Sequence, residues 1–231
     1  MSEPSLEAGP LNRALLVVLD AAMSLASESP LFSSPLRLQQ AGLLLALLGF
    51  DDERASLGGS LYARSGLAVG EPGSPPAPSV ADRERAEMTR SCRAEFVARG
   101  LCVFAEEVGV GGLGLAVSRL CRSGAEGPVV GCALVLPAPR AIGTQGAPSV
   151  AAQLFHESAG RVLLAIPAQR YADAMLLAAS HGVPLLPLGR SGGRELVVRA
   201  SDAGSGFHEV IRVSLAELAS PVPSLSHPAE Q

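Results

Sequence analysis

The sequence predicts an α/β or α+β fold in which a mixed sheet is flanked by helices. Segments with helical spacing of apolar residues alternate with short, continuous apolar runs along most of the 231 residues. The clearest run, Val162–Ile166, has five consecutive apolar residues, which is typical of a buried strand. A second run, Val129–Leu136, is bounded by Pro128 and Pro137. Both runs are therefore expected in the core of the sheet.

The first elements are a helix and a strand, both strongly apolar. Leu11–Ala26 carries few polar residues, so a helix here needs cover on most of its sides. Gly42–Phe50 is a nearly unbroken apolar run and predicts a buried strand. Because one helix and one strand have too little surface to cover each other, this segment is expected to associate with a second copy or another chain.

The later elements follow from periodicity and from glycines at helix ends. Gly100 and Gly182 stand where two helices are expected to end. The predicted helices are Asp82–Arg99, Gly111–Arg122, Ala168–His181 and a closing turn at Ser214–Ala219. The predicted strands are Leu101–Ala105, Val129–Leu136, Val162–Ile166, Pro184–Leu188, Glu195–Arg199 and Val210–Val213. The side chains expected in the core include Leu113, Val117, Val135, Val162, Leu164 and Leu176.

A proline- and glycine-rich stretch, Gly70–Ser79, divides the chain. We expect a truncated N-terminal subdomain at residues 1–66, a linker at 67–80, a main domain at 81–220 and a disordered tail at 221–231.

Composition excludes several classes of function. The net charge of −4 gives no general attraction to nucleic acid or anionic lipid. The longest apolar stretch, Ala41–Phe50, is about half the length that spans a bilayer. Glu3 and Glu7 stand where a signal peptide needs positive charge. The four cysteines lack metal-ligand spacing and are expected as buried, reduced thiols, which indicates a cytoplasmic protein.

Two motifs carry a resemblance to a known family. Residues 154–161 (Leu-Phe-His-Glu-Ser-Ala-Gly-Arg) are similar to a Leu-Phe-Ser-Glu-Ser-x-Gly-Arg motif in the C-terminal half of phosphoribosylformylglycinamidine synthase, with His156 in place of serine. Residues 57–62 (Leu-Gly-Gly-Ser-Leu-Tyr) resemble its Leu-Gly-Gly-Ser-x-Tyr motif. The resemblance implies an aminoimidazole ribonucleotide synthase-like C-terminal domain. It also implies an ATP- and Mg-dependent ligase that forms an amidine on a ribonucleotide.

A third motif departs from the family pattern. Residues 106–113 (Glu-Glu-Val-Gly-Val-Gly-Gly-Leu) stand where the family has His-Asp-(Val/Leu)-Ser-(Asp/Glu)-Gly-Gly-Leu. Gly111 and Gly112 match, but Glu106 replaces the histidine and would repel phosphate at short range. The same loop also spells G-x-G-x-x-G. A dinucleotide site is excluded, however, because the next strand ends without the acid that binds ribose.

The candidate ligand-binding residues come from these motifs: Glu157, Ser158, Gly160, Arg161, Gly111, Gly112, Gly58, Gly59 and Ser60. The alternative is structural, with Glu157 capping a turn or pairing with Arg161 and Ser158 bonding a turn amide. His156 is expected on the surface. The acidic residues Asp51–Glu53 are interpreted as a solvated turn rather than a cation site. Residues 189–194 could form an anion-binding nest, but a hairpin turn is favoured.

No catalytic or metal-binding residue is assigned, because the segment ahead of Leu57 is shorter than the family's ATP-binding domain. Two functions compete. The first is a non-catalytic structural or regulatory subunit that completes a split synthase, as a homodimer or on a longer synthase chain. The second is a residual ATP- or ribonucleotide-binding enzyme.

Overall fold

The computed structural model describes residues 11–26, 37–49, 57–67, 79–122, 129–138, 149–202 and 206–220. Within them seven strands form one mixed sheet. The strands are β1 (Leu44–Leu48), β2 (Phe104–Glu107), β3 (Cys132–Leu136), β4 (Val162–Ile166), β5 (Leu185–Ser191), β6 (Glu195–Asp202) and β7 (Gly206–Ser214). Their order across the sheet is β2-β4-β1-β5-β3-β6-β7. The β3–β6 pair is parallel and the other pairs are antiparallel.

Helices lie on both faces of this sheet. They are α1 (Asn12–Ala26), α2 (Leu61–Arg64), α3 (Val80–Ala98), α4 (Gly112–Cys121), α5 (Val150–Phe155), α6 (Tyr171–Ser180) and α7 (Leu215–Ala219). A 3₁₀ turn, Ala168–Arg170, precedes α6. This arrangement confirms the α/β class with a mixed sheet. Of the described helices, none is long and apolar enough to cross a membrane.

Local signals placed most elements correctly. Ser79 caps α3 with a capping box that includes Asp82, and the helix begins at Val80. All five residues of β4 are buried, as its apolar run predicts. The prediction missed α5, which Ser149 caps by accepting a hydrogen bond from the amide of Ala152.

Two of the side chains expected in the core are not buried. Val135 is 36% exposed because it alternates with Leu134 along β3 and points away from the core. Leu176 is 71% exposed because α6 turns Ala174 and Leu177 inward instead. The other four, Leu113, Val117, Val162 and Leu164, are buried as predicted.

The N-terminal elements belong to the same sheet and core as the later ones. The β1 strand lies between β4 and β5, near the centre of the sheet. Its side chains and those of α1 are covered by the chain itself: Leu15, Val18, Leu19, Leu43, Leu45, Leu47 and Leu48 are all buried. The expectation that these apolar residues need a second chain to cover them is therefore wrong. The predicted boundaries at residues 66 and 81 stay predictions, and both the tail from 221 and Asp51–Glu53 lie outside the described residues.

The turn expected at residues 189–194 is not a hairpin. Gly189, Arg190 and Ser191 belong to β5, and β5 and β6 flank β3 rather than pairing with each other. Gly189 is required here because a Cβ would lie 1.9 Å from the carbonyl oxygen of Ala133 on β3. The connection therefore passes over the end of β3.

Candidate functional site

The Glu157 carboxylate joins the starts of two helices. Its Oε1 accepts a hydrogen bond from the amide of Leu61 at 2.6 Å and another from the amide of Gly111 at 2.8 Å. Leu61 opens α2, and Gly111 is the N-cap of α4. The first amides of a helix have no partner within the helix, and the helix dipole favours a negative charge there. One carboxylate thus brings together the three motifs singled out in the sequence. We call this arrangement the Glu157 junction.

The glycines at the start of α4 serve close packing. Gly111 has a φ of +77°, and a Cβ on it would lie 2.4 Å from the Leu115 side chain. A Cβ on Gly112 would lie 2.5 Å from the carbonyl oxygen of Leu154 in α5. The Gly112 amide donates to the Gly109 carbonyl at 3.0 Å. The amides of Gly111 and Gly112 are therefore bonded within the chain rather than free for an external anion.

The segment around Ser60 also bonds internally. Ser60 is 2% exposed, and its hydroxyl donates to the Leu57 carbonyl at 2.6 Å and accepts from the Ala63 amide at 3.2 Å. The Tyr62 ring stacks on Phe155 with centroids 4.8 Å apart. Gly58 and Gly59, two further candidates, are half-buried in the turn before this helix. The segment is thereby fixed against α5.

His156 is buried, so its predicted surface position is wrong. It is 2% exposed at the end of α5, and its Nδ1 lies 2.7 Å from the Ala152 carbonyl oxygen. Because a carbonyl only accepts, this contact puts the ring proton on Nδ1. The Nε2 atom is buried and finds no hydrogen-bond partner among the described residues. Burial, followed by the nearby Arg161 charge, lowers the pKa of His156 to about 3. At neutral pH the imidazole is uncharged.

Arg161 is buried beside His156. It is 1% exposed, its Nη2 donates to the His156 carbonyl, and its Nε has no hydrogen-bond partner within the part of the chain that the structure describes. Burial lowers the pKa of the guanidinium to about 9, while the Glu157 carboxylate acts in the opposite direction. Arg161 thus stays charged at neutral pH and faces the interior. Its neighbour Gly160 packs against α3, since a Cβ there would lie 2.7 Å from Ala86 Cα.

The remaining candidates lie around this junction. Ser158 is half-buried in the loop between α5 and β4. Glu106 is 7% exposed on β2, with its Oε1 3.8 Å from Arg119 Nη1, while Glu107 is exposed. The β2 strand is at the sheet edge and antiparallel to β4, which differs from the parallel β–α–β unit of a dinucleotide site. Within the described residues, no three His, Cys, Asp or Glu side chains gather as a metal site.

Sequence comparison finds similar curated proteins that are named as one subunit of one enzyme. No model of a known protein family matches the chain. The chain is 34% identical over 154 residues to phosphoribosylformylglycinamidine synthase subunit PurL of Thermomicrobium roseum. The aligned residues make up 66% of this chain and 19% of that protein. Over 163 residues it is 33% identical to the PurL subunit of Moorella thermoacetica, covering 70% of this chain and 20% of that protein. The chain spans about a fifth of the length of these curated relatives.

Solved structures of the same enzyme share the fold. Thermotoga maritima PurL complexed with FGAR matches with a TM-score of 0.57 at 18% identity, over 85% of this chain and 31% of that one. The complex of T. maritima PurL with ATP matches with a TM-score of 0.54 at 19% identity, over 80% and 27% of the two chains. At this identity the likeness shows the fold, and the sequence relatives supply the family. The chain is thus a partial relative of the PurL subunit of phosphoribosylformylglycinamidine synthase.

Proposed function

We propose that the chain is a non-catalytic structural or regulatory subunit that completes a split synthase by docking onto a longer PurL-type chain. The observation that carries this proposal is the Glu157 junction. The motif residues that could contact a ligand are committed to contacts inside the chain. Glu157 holds the amides of Leu61 and Gly111, and Arg161 holds the carbonyl of His156. These groups stabilise the fold and leave little at this edge for chemistry on a substrate.

The loop before α4 supports the same conclusion. By the family resemblance, Glu106 and Glu107 stand in place of a histidine and an aspartate, and Gly109 stands in place of a serine. Each charge-stabilising group of an active site contributes a few kcal/mol to a transition state. Glu106 instead lies buried near Arg119. Catalysis by this chain alone would lack these contributions.

A partner chain has a precedent among the structural neighbours. The structure of PurLQS from Thermotoga maritima matches with a TM-score of 0.51 at 17% identity, over 80% of this chain and 27% of that one. The curated relatives are named as a subunit of the synthase. These names support a role within an assembly.

A cytoplasmic location belongs to this proposal and is supported by the thiols. Cys121 and Cys132 are buried thiols whose Sγ atoms share a hydrogen bond at 3.6 Å and are not joined by a disulfide. A disulfide needs about 2.05 Å between the sulfurs. Reduced thiols at this separation suit a reducing compartment.

The test combines turnover with binding. The purified chain is given Mg-ATP, formylglycinamide ribonucleotide and ammonia, and phosphate release is followed. We expect no turnover above that of Glu157→Ala. The chain is then mixed with a purified longer PurL-type chain from the same genome, and light scattering measures complex formation. Turnover by the chain alone that is lost in Glu157→Ala would instead support the residual ATP- or ribonucleotide-dependent enzyme.

A further inference from the structure

The two faces of the sheet are covered to different extents. On one face, α1, α2, α4, α5 and α7 contribute to a core that includes side chains from all seven strands. On the other face, α3 and α6 cover β2, β4, β1 and the start of β5, and none of the buried side chains in that core comes from β3, β6 or β7. Within the described residues no helix forms a buried core with the second face of β3, β6 and β7. We call this face, together with that of β5, the open half-sheet. Antiparallel sheets with one free face commonly present polar residues there.

The open half-sheet carries exposed apolar side chains. Val135 is 36% exposed and Phe207 is 65% exposed, and Ala133 and Pro187 are exposed too. Strand register places Ala133 opposite Arg190 and Val197, and directly paired residues share a face, although Val197 is only 9% exposed. The helix that borders this surface is α6, which packs against β5 and leaves Leu176 71% exposed. Exposed apolar residues on a face that none of the described helices covers indicate an interaction surface.

The charges on the same face are unequal in number. Register places Arg190, Arg199 and Arg212 on it together with Glu195 and Glu209. Both carboxylates accept hydrogen bonds from Arg212. Glu209 accepts from its Nε at 2.8 Å and from its Nη2 at 2.7 Å. Among the described residues of this face there are thus three arginines and two glutamates, with Arg199 paired opposite Glu209 and Arg190 Nη1 3.4 Å from the Gly42 carbonyl oxygen. A second copy of this chain would bring two positive surfaces together, so charge disfavours a symmetric dimer through this face.

Backbone groups of both outer strands are bonded to other parts of the chain, more of them on β7 than on β2. On β7, Leu11 donates its amide to the Val210 carbonyl, and the Asn12 side chain bonds both the amide and the carbonyl of Arg212. On β2, Arg93 donates to the Ala105 carbonyl at 3.1 Å. Since these edge groups are occupied, strand addition there is hindered, and this favours the face itself as the docking surface.

We propose that the open half-sheet docks an amphipathic helix of a partner protein, with small apolar side chains against Val135 and Asp or Glu residues facing Arg190 and Arg199. Under the proposed function, on which this choice of partner rests, the helix belongs to the longer synthase chain. The helix lies beside α6 and completes the layer on this face, because helices bury an apolar stripe against a sheet.

The first arm of the test uses peptides and does not depend on the synthase. A fluorescent amphipathic peptide of about 20 residues has an Ala/Val stripe and Glu flanks, and its counterpart has Lys at every Glu position. Fluorescence anisotropy should show binding of the Glu peptide and at least about tenfold weaker binding of the Lys peptide. Arg190→Glu combined with Arg199→Glu should reverse that preference. The exposed-arginine control, Arg64→Glu with Arg83→Glu, should keep it. Equal binding of both peptides, or binding of neither, would overturn the proposal.

The second arm uses the longer PurL-type chain. Val135→Asp should weaken its complex with the full chain by about tenfold or more, whereas Val97→Asp, on an exposed site of α3, should not. If the complex forms and Val135→Asp leaves it intact, the proposed function stands and the surface is wrong. If the Glu peptide binds but the synthase chain does not, the surface stands and the proposed function fails. A homodimer that Val135→Asp dissolves would overturn the proposal in favour of a second copy.

Discussion

The Glu157 junction and the open half-sheet use their polar and charged groups in opposite ways. At the junction a carboxylate, an arginine and a histidine are turned inward, and Oε1 of Glu157 satisfies two helix starts. On the open half-sheet, arginines and small apolar side chains are turned outward beside exposed Val135 and Phe207. The difference teaches that matching a family motif and offering a surface are separate properties. In this chain the motif residues bond within the fold, whereas the open half-sheet is the face that we propose for a partner.

The largest expected effect comes from the closed face of the sheet. Leu134→Ala should destabilise the chain by about 2–5 kcal/mol, because Leu134 is 1% exposed and its loss leaves a cavity. Urea denaturation followed by circular dichroism measures the change. A loss below about 1 kcal/mol would show that this core relaxes more freely than its packing indicates, and would weaken the contrast between the faces.

Glu157→Ala should be the next largest change. It removes the acceptor for two helix-start amides, which should cost about 2–4 kcal/mol. Glu157→Gln is the matched control because both amides bond to a single oxygen, which an amide side chain can supply. We expect Gln to lose about 1 kcal/mol, mainly from the missing charge. Equal losses for Ala and Gln in urea denaturation would show that charge, rather than the acceptor, matters.

The pH dependence of stability tests the inward-facing histidine. The pKa of His156 is lowered from 6.5 to about 3 in the folded chain, so below pH 6.5 the unfolded chain binds a proton that the folded chain does not. Stability should therefore fall as pH falls from about 6.5 toward 3, by up to about 1.4 kcal/mol per pH unit.

The control for this pH effect is His156→Gln, measured between about pH 5 and 6.5, where most carboxylates keep their charge. Its stability should depend less on pH than that of the wild type across this range. Parallel slopes for the two proteins would contradict the buried, neutral imidazole.

The sequence predicts where helices and strands lie along the chain better than it predicts which of them pack or pair with each other. Glycines and caps are local, so the starts of α3 and α4 and the course of β4 could be read from the chain. Strand order depends on distant segments: nothing near Leu44–Leu48 indicates that it pairs with both β4 and β5. Because the pairing was unknown, the apolar residues of β1 suggested a missing partner that the chain itself supplies.

The candidate site shows the same limit. The motif residues pointed to one place, and Glu157, Gly111 and the Ser60 segment do meet. Their roles were not evident, because a carboxylate beside glycines suits a ligand as well as two helix starts. The surface position predicted for His156 is wrong because a single polar residue between Phe155 and Glu157 does not indicate in the sequence whether it is buried. Only the contact with the Ala152 carbonyl, four residues earlier, explains how it is accommodated.

The smallest expected change in stability comes from a substitution on the open half-sheet, at Val135. This position is next to Leu134, where the largest change is expected. Val135→Thr keeps a β-branched side chain and so suits the strand. Because Val135 is 36% exposed and points away from the core, stability should change by less than about 0.5 kcal/mol. The same urea series that measures Leu134→Ala measures it, so adjacent positions report on opposite faces. A loss above about 1.5 kcal/mol would mean that this face is covered in solution. Repeating the series at several protein concentrations would then decide what covers it, because cover by a second copy weakens on dilution and cover from within the chain does not.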